Sequence, residues 1–270
     1  MRLFVSALRK LGPRMATLLT FGLLAGMLVL IDVAVVATRG VGDAGPGRSG
    51  NVLALITFPG AYDEILSFIL GLGGLFAVIY GAAIAGSEWT WGTLKTAVAR
   101  GESRSRYLLA TFAAIAVVLA IGTLFTAVVG VMTAAVGATV AGISLSGIGD
   151  RAVIEALPVH FLRGWIAITE TAALGFAVAT LARSQLAGIG VGIALYFGET
   201  FAGLFLPDVV KYLPFHLATA AVGGSTGFAP VPSTSGPVMS TDTALVLVVA
   251  WLLAALVVAA GFGERAEITG

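Results

Sequence analysis

The sequence predicts an all-α integral membrane protein, one bundle of six spanning helices over residues 1–270, and two observations carry that expectation. Hydrophobic residues make up 58% of the chain and charged residues only 11%, with a mean hydropathy of +1.02; soluble domains run at roughly 45–50% apolar and about 25% charged. Apolar runs long enough for a ~30 Å hydrocarbon core then recur along the chain, separated by short polar or Gly- and Pro-rich connections. Six spans leave no room for a water-soluble catalytic domain, so an energy source is expected on another chain. The absence of cysteine removes disulfides, thiolate metal sites and Cys nucleophiles, and His160 and His216 are far apart in sequence. No catalytic residue, metal or cofactor is therefore assigned to this chain.

Residues 1–17 carry Arg2, Arg9, Lys10 and Arg14 with Phe4, Leu8, Leu11 and Met15 at near-helical spacing. That pattern predicts a basic amphipathic helix on an anionic lipid surface, ended or bent by Pro13. The first span, Leu18 to Val36, is too long for a signal-peptide core and lacks a small-x-small cleavage site. A Gly-rich connection, Arg39 to Glu64, leads to span two at Ile65 to Ala85. Span three covers Tyr107 to Ala138, and Thr139 to Phe161 reads as a loop with a short interfacial helix. Spans four and five, Leu162 to Leu181 and Leu186 to Leu206, must be antiparallel neighbours because only Ala182-Arg183-Ser184-Gln185 joins them. The connection 207–241 is too apolar for a free loop and is expected to be interfacial or re-entrant; span six follows at Ala244 to Phe262.

Basic residues set the orientation. With the N-terminus inside, the inner connections hold Arg2, Arg9, Lys10, Arg14, Lys95, Arg100, Arg104, Arg106, Arg183 and Arg265, and the outer ones only Arg39, Arg48, Arg151, Arg163 and Lys211. Both termini are then cytoplasmic in a bacterial inner membrane, and 207–241 is external.

The polar interruption at 87–106, SEWTWGTLKTAVARGESRSR, falls on the cytoplasmic side. Thr90, Leu94, Ala97 and Val98 share a helical face while Lys95, Arg100 and Glu102 lie elsewhere, which predicts a short amphipathic helix ended by Gly101. Glu88-x-x-x-Gly92-Thr93-Leu94-Lys95, followed by Ser103-Arg104 and Leu108, resembles the E-x-x-x-G-T-[LI]-[RK] … S-R-x-x-x-L pattern of type-2 permease subunits of ATP-binding-cassette (ABC) exporters. The resemblance implies that the stretch is a coupling helix, with Glu88, Trp91, Gly92, Thr93, Lys95, Arg100, Ser103 and Arg104 as its docking residues. It also implies two cytoplasmic ATP-binding subunits that carry ATP and Mg, a second permease copy or homologue, contact with membrane lipids, and no nucleic acid. Thr111 stands where many relatives have Lys, and Arg265-Ala266-Glu267-Ile268 replaces a common Arg-Asp-Ile ending. Substrate and subfamily stay open.

Asp32, Glu170 and Glu199 lie inside apolar spans, where an Asp costs at least ~2.5–3.5 kcal/mol. Either they form a polar patch on the translocation path, or they make interhelical hydrogen bonds with partners such as Thr169, Thr171, Thr200 or Arg163. Glycines at 71, 73, 74, 188, 190, 192 and 198 predict close helix approach within the bundle or across a dimer seam. Two alternatives stand beside the exporter. A secondary transporter or channel would use the three acids as ion or proton sites. An intramembrane aspartyl protease would use Tyr62-Asp63 and Gly147-Ile148-Gly149-Asp150, but both aspartates fall in expected external loops.

Overall fold

The structure is a computed structural model that describes residues 2–38, 52–223 and 239–265. Arg39 and Arg48 of the first outer connection, and residues 224–238 of the 207–241 connection, lie outside the described residues. In chain order the helices are α1 (Arg2–Leu11), α2 (Met15–Thr38), α3 (Gly60–Thr90), α4 (Thr93–Ala99), α5 (Arg104–Ala141), α6 (Arg151–Ala182), α7 (Gln185–Ala202), α8 (Pro207–Val210), α9 (Pro214–Ala220) and α10 (Thr241–Arg265). Five of them, α2, α3, α5, α6 and α10, are long and apolar enough to cross a membrane. The chain is an all-α, multi-pass membrane protein. The run expected as span five is α7, an 18-residue helix shortened by turns at Leu204 and Phe205.

Local chemistry sets the ends. Gly12 and Pro13 separate α1 from α2, as a residue lacking an N–H and fixed in φ should. Ser184 opens α7 by accepting the Ala187 N–H at 3.3 Å, one residue after α6 stops in a left-handed turn at Arg183 (φ 50°). The loop expected over 139–161 is largely helix. α5 continues to Ala141, and α6 starts at Arg151 because the Asp150 carboxylate accepts the N–H groups of Ala152 and Val153 at 3.0 and 3.4 Å. An Arg151–Glu155 pair at 2.7 Å supports that first turn, and Pro158 is carried inside the helix.

Helix α3 is the axis, packed against α2, α5, α6 and α7. Of its most apolar window 78% is buried, against 28% for α2 and 17% for α10, whose outer faces remain for lipid or a partner. Its crossing with α6 is backbone on backbone. A Cβ at Gly81 would lie 2.1 Å from the Ala172 carbonyl oxygen, and one at Gly175 would lie 2.0 Å from that of Val78. On the other side, Phe21, Leu28 and Val36 of α2 sit against Gly122, Gly130 and Gly137 of α5 at a constant offset, so α2 and α5 run parallel. Helix α7 folds back along α6, Gly188 against Ala179, and touches Val78 of α3 through Gly192. Gly74, Gly190 and Gly198, also expected as packing glycines, have open space where a side chain would go. Helix α9 is wedged among α3, α6, α7 and α10, with Leu217 and Ala221 fully buried beside Ala244 and Val248.

Candidate functional site

The polar stretch 87–106 is three pieces of structure rather than one helix. Ser87 to Thr90 are the last turn of α3; Trp91 and Gly92 form the turn; α4 occupies Thr93–Ala99; and Arg104 already belongs to α5. Gly92 (φ 66°) and Gly101 (φ 86°) both adopt the left-handed conformation, which costs an L side chain roughly 1–2 kcal/mol, and they set the two corners of the excursion. Leu94 is buried beneath α4, while Trp91, Lys95 and Arg100 are exposed.

Glu88 is the hub of this corner. Its side chain is 1% exposed, and Lys10 Nζ reaches its Oε1 at 2.6 Å, with an Arg14 nitrogen at 3.8 Å. The hydroxyls of Thr93 and Tyr107 both donate to Oε2. One carboxylate thus joins α1, the α1–α2 turn, the end of α3, the start of α4 and the start of α5. Arg14 adds a hydrogen bond to Ser87 Oγ at 3.2 Å and lies over the Trp91 ring at 5.1 Å. A small cavity lined by Ser6, Lys10, Glu88, Tyr107 and Thr111 opens beside it.

The far ends of α5 and α10 close the same corner. Ser103 caps α5 by accepting the Arg106 N–H at 3.4 Å. Arg104 donates to the Glu264 carbonyl at 3.3 Å, and the Glu264 carboxylate accepts the Ser105 N–H at 3.1 Å and the Ser105 hydroxyl. Leu108 packs so tightly on α10 that a Cβ at Gly263 would lie 2.5 Å from it. Arg183, at the α6–α7 turn, stacks over Trp89 at 5.6 Å and Phe262 at 5.4 Å.

Of the eight residues grouped for docking, the structure therefore separates two sets. Glu88, Gly92, Thr93, Ser103 and Arg104 have internal duties: an ion-pair hub, a left-handed corner, a hydroxyl on the hub, a helix cap and a bond to α10. Trp91, Lys95 and Arg100 form the surface. Glu88 is too buried to meet a partner directly and can act on docking only by positioning α4. Lys10, Arg14, Tyr107 and Glu264 were not singled out by sequence reasoning. The missing signal was available for two of them: an acid at the end of an apolar helix requires cations at the same membrane face, and Lys10 and Arg14 are such cations.

The three intramembrane acids do not form one patch. Asp32 lies in the α2–α5 seam and accepts the Thr133 hydroxyl. Glu199, at the end of α7, accepts the backbone N–H groups of Phe215 (3.2 Å) and His216, which pins the start of α9. Burial holds the His216 imidazole below the ordinary histidine range. Glu170 has no hydrogen-bond partner for either carboxyl oxygen among the described residues, and it lies within electrostatic reach of Glu199. Neither Arg163 nor Thr171 or Thr200 serves these acids: Arg163 pairs with Asp242 at 2.7 Å, and both threonine hydroxyls donate to carbonyls of their own helices. Asp63 and Asp150 are exposed at helix starts, and Asp150 is occupied as a cap.

Residues 47–262 match the DUF2705 family, described as a protein of unknown function. The chain belongs to the DUF2705 family. Its matched region includes Glu88, Thr93, Tyr107, Glu170 and Glu199 and ends before Glu264; Lys10 and Arg14 precede it. No curated protein matches this DUF2705 member.

Proposed function

We propose that this chain is the permease subunit of a bacterial ABC exporter, working as a dimer with a second permease and driven by two separate ATP-binding subunits. The observation that carries the proposal is the mounting of α4: a short helix that buries Leu94, shows Trp91, Lys95 and Arg100 outward, and is tied by one buried carboxylate to α1, α3 and α5. Pressure on such a helix is passed to three helix ends at once. The E-x-x-x-G-T-L-K … S-R-x-x-x-L resemblance supports the same reading, since each of its internal positions has a mechanical duty at this corner.

In this reading α7 is the sixth span. At 1.5 Å per residue its 18 residues cover about 27 Å, close to a ~30 Å core, and it runs back along α6 from a two-residue turn. Six crossings place both termini in the cytoplasm, in agreement with the excess of Lys and Arg at the α4 end. Helices α8 and α9 are then external, with α9 re-entrant. ATP and Mg are held by the partner subunits.

The test is co-expression with the ATP-binding subunit encoded in the neighbouring reading frame. Combining Trp91→Ala, Lys95→Glu and Arg100→Glu is expected to weaken complex formation and coupled ATPase activity about tenfold or more, as loss of exposed Trp and Arg anchors does. Thermal stability should stay within about 0.5 kcal/mol, because all three are surface positions. An undiminished complex with full ATPase stimulation would reject the docking role. Glu170 is the observation that favours the second reading, a secondary transporter; substrate movement driven by a proton gradient in the absence of ATP would select it.

A further inference from the structure

Two carboxylates, Glu170 on α6 and Glu199 on α7, lie within electrostatic reach of each other inside the bundle, and their surroundings are opposite. Glu199 receives two backbone N–H donors from the start of α9, an arrangement that favours the ionised form. Glu170 is 0% exposed and receives none. The neighbouring Thr169 hydroxyl is likewise without a partner and does not serve it. Of the elements packed on α6, which are α3, α5, α7, α9 and α10, only α7 brings a charged group to bear on Glu170, and that group is Glu199, of like sign.

Three states of Glu170 can be weighed. An ionised carboxylate with no donor, next to a second carboxylate in a low-dielectric interior, has nothing to offset its desolvation or the repulsion. A bound metal ion needs several oxygen or nitrogen ligands; the described residues contain no cluster of three or more acidic or histidine side chains, and both Glu170 oxygens are sealed from solvent. A proton needs neither space nor further ligands, and it removes the charge.

We propose that Glu170 is a proton-binding site of this conformation, carrying one neutral carboxylic acid per chain, while Glu199 remains the carboxylate that holds α9 in place. Because α9 packs on both α6 and α7, moving it would withdraw the donors from Glu199 and admit water beside Glu170. The ligand is a proton, and its release accompanies opening of the bundle at α9. This inference rests on the bundle alone and stands or falls independently of the ATPase partner.

Infrared difference spectroscopy of the full chain in lipid vesicles at neutral pH tests it. Wild type minus Glu170→Gln should show loss of a neutral-acid C=O band that shifts only slowly in deuterated water. Wild type minus Glu199→Gln should show loss of carboxylate bands and keep the neutral-acid band. Carboxylate bands lost with Glu170→Gln, or a neutral-acid band lost only with Glu199→Gln, would overturn the proposal. If Glu170→Gln fails to fold, carboxyl-labelled glutamate in the unmutated chain decides: a label-shifted neutral-acid band retained in Glu199→Gln supports the site, and absence of any such band overturns it.

Discussion

Replacing Glu88 with alanine is expected to detach α1 from the bundle and to lower stability by about 3–5 kcal/mol, the usual result of breaking a buried ion pair by removing one partner. The loss should be at the lower end of that range, because the Lys10 side chain is 34% exposed and can recover water, whereas Arg14 keeps its bond to Ser87. Lys10→Met should be comparably damaging for the opposite reason: it leaves a carboxylate at 1% exposure with its nearest cation gone and Arg14 only at 3.8 Å. Combining Lys10→Met with Glu88→Gln removes both charges and should restore about 1 kcal/mol or more relative to additive losses, within the 0.5–3 kcal/mol range of coupled neighbours. Thermal unfolding of the four proteins in one detergent measures this cycle. Strict additivity would mean that Lys10 and Glu88 do not act as a pair.

An equally large effect is expected at the α3–α6 crossing. Gly175→Ala would place a methyl 2.0 Å from the Val78 carbonyl oxygen, and Gly81→Ala would place one 2.1 Å from that of Ala172. Both obstacles are backbone, so no rotamer change relieves them and the helices must separate. Overpacking usually costs 1–3 kcal/mol, and with no side chain able to yield, each substitution should cost about 3 kcal/mol. The two share one crossing, so the double variant should cost less than their sum. Gly74→Ala and Gly190→Ala are the controls: both sites are open, and alanine there should be neutral or gain up to about 1 kcal/mol from helix propensity. Monodisperse yield and thermal unfolding separate the two classes. Equal behaviour of Gly175→Ala and Gly190→Ala would show that the crossing is not the close contact described.

Apolar runs made the long helices legible, because a lipid-facing helix must be apolar along its length whatever its neighbours are. Helix ends were less legible. Thr139 to Phe161 reads as a loop from its Asp, Arg, Glu and Pro, yet Asp150 is there to start a helix and Pro158 is tolerated inside it. The acids were recognisable as buried, but their partners were not. Sequence proximity suggests Thr169, Thr171, Thr200 or Arg163, whereas Asp32 is served by Thr133, about a hundred residues away, and Glu199 by the backbone of α9. Backbone donors carry no sequence signature, and contacts across helices depend on register. The same holds at the 87–106 corner. The motif residues stood out by type, but nothing in the sequence separates those that build the corner from those that face outward.

The central claim is that the surface of α4 faces the cytoplasm and touches an ATP-binding subunit. The chain contains no cysteine, so a single Lys95→Cys carries the only thiol, and Asp208→Cys supplies its counterpart at the start of α8. Thiol cross-linking in inverted membrane vesicles with the ATP-binding subunit present should couple that subunit to Lys95→Cys and leave Asp208→Cys uncoupled. Coupling through Asp208→Cys, or none through Lys95→Cys in a complex that still hydrolyses ATP in response to the permease, would contradict it.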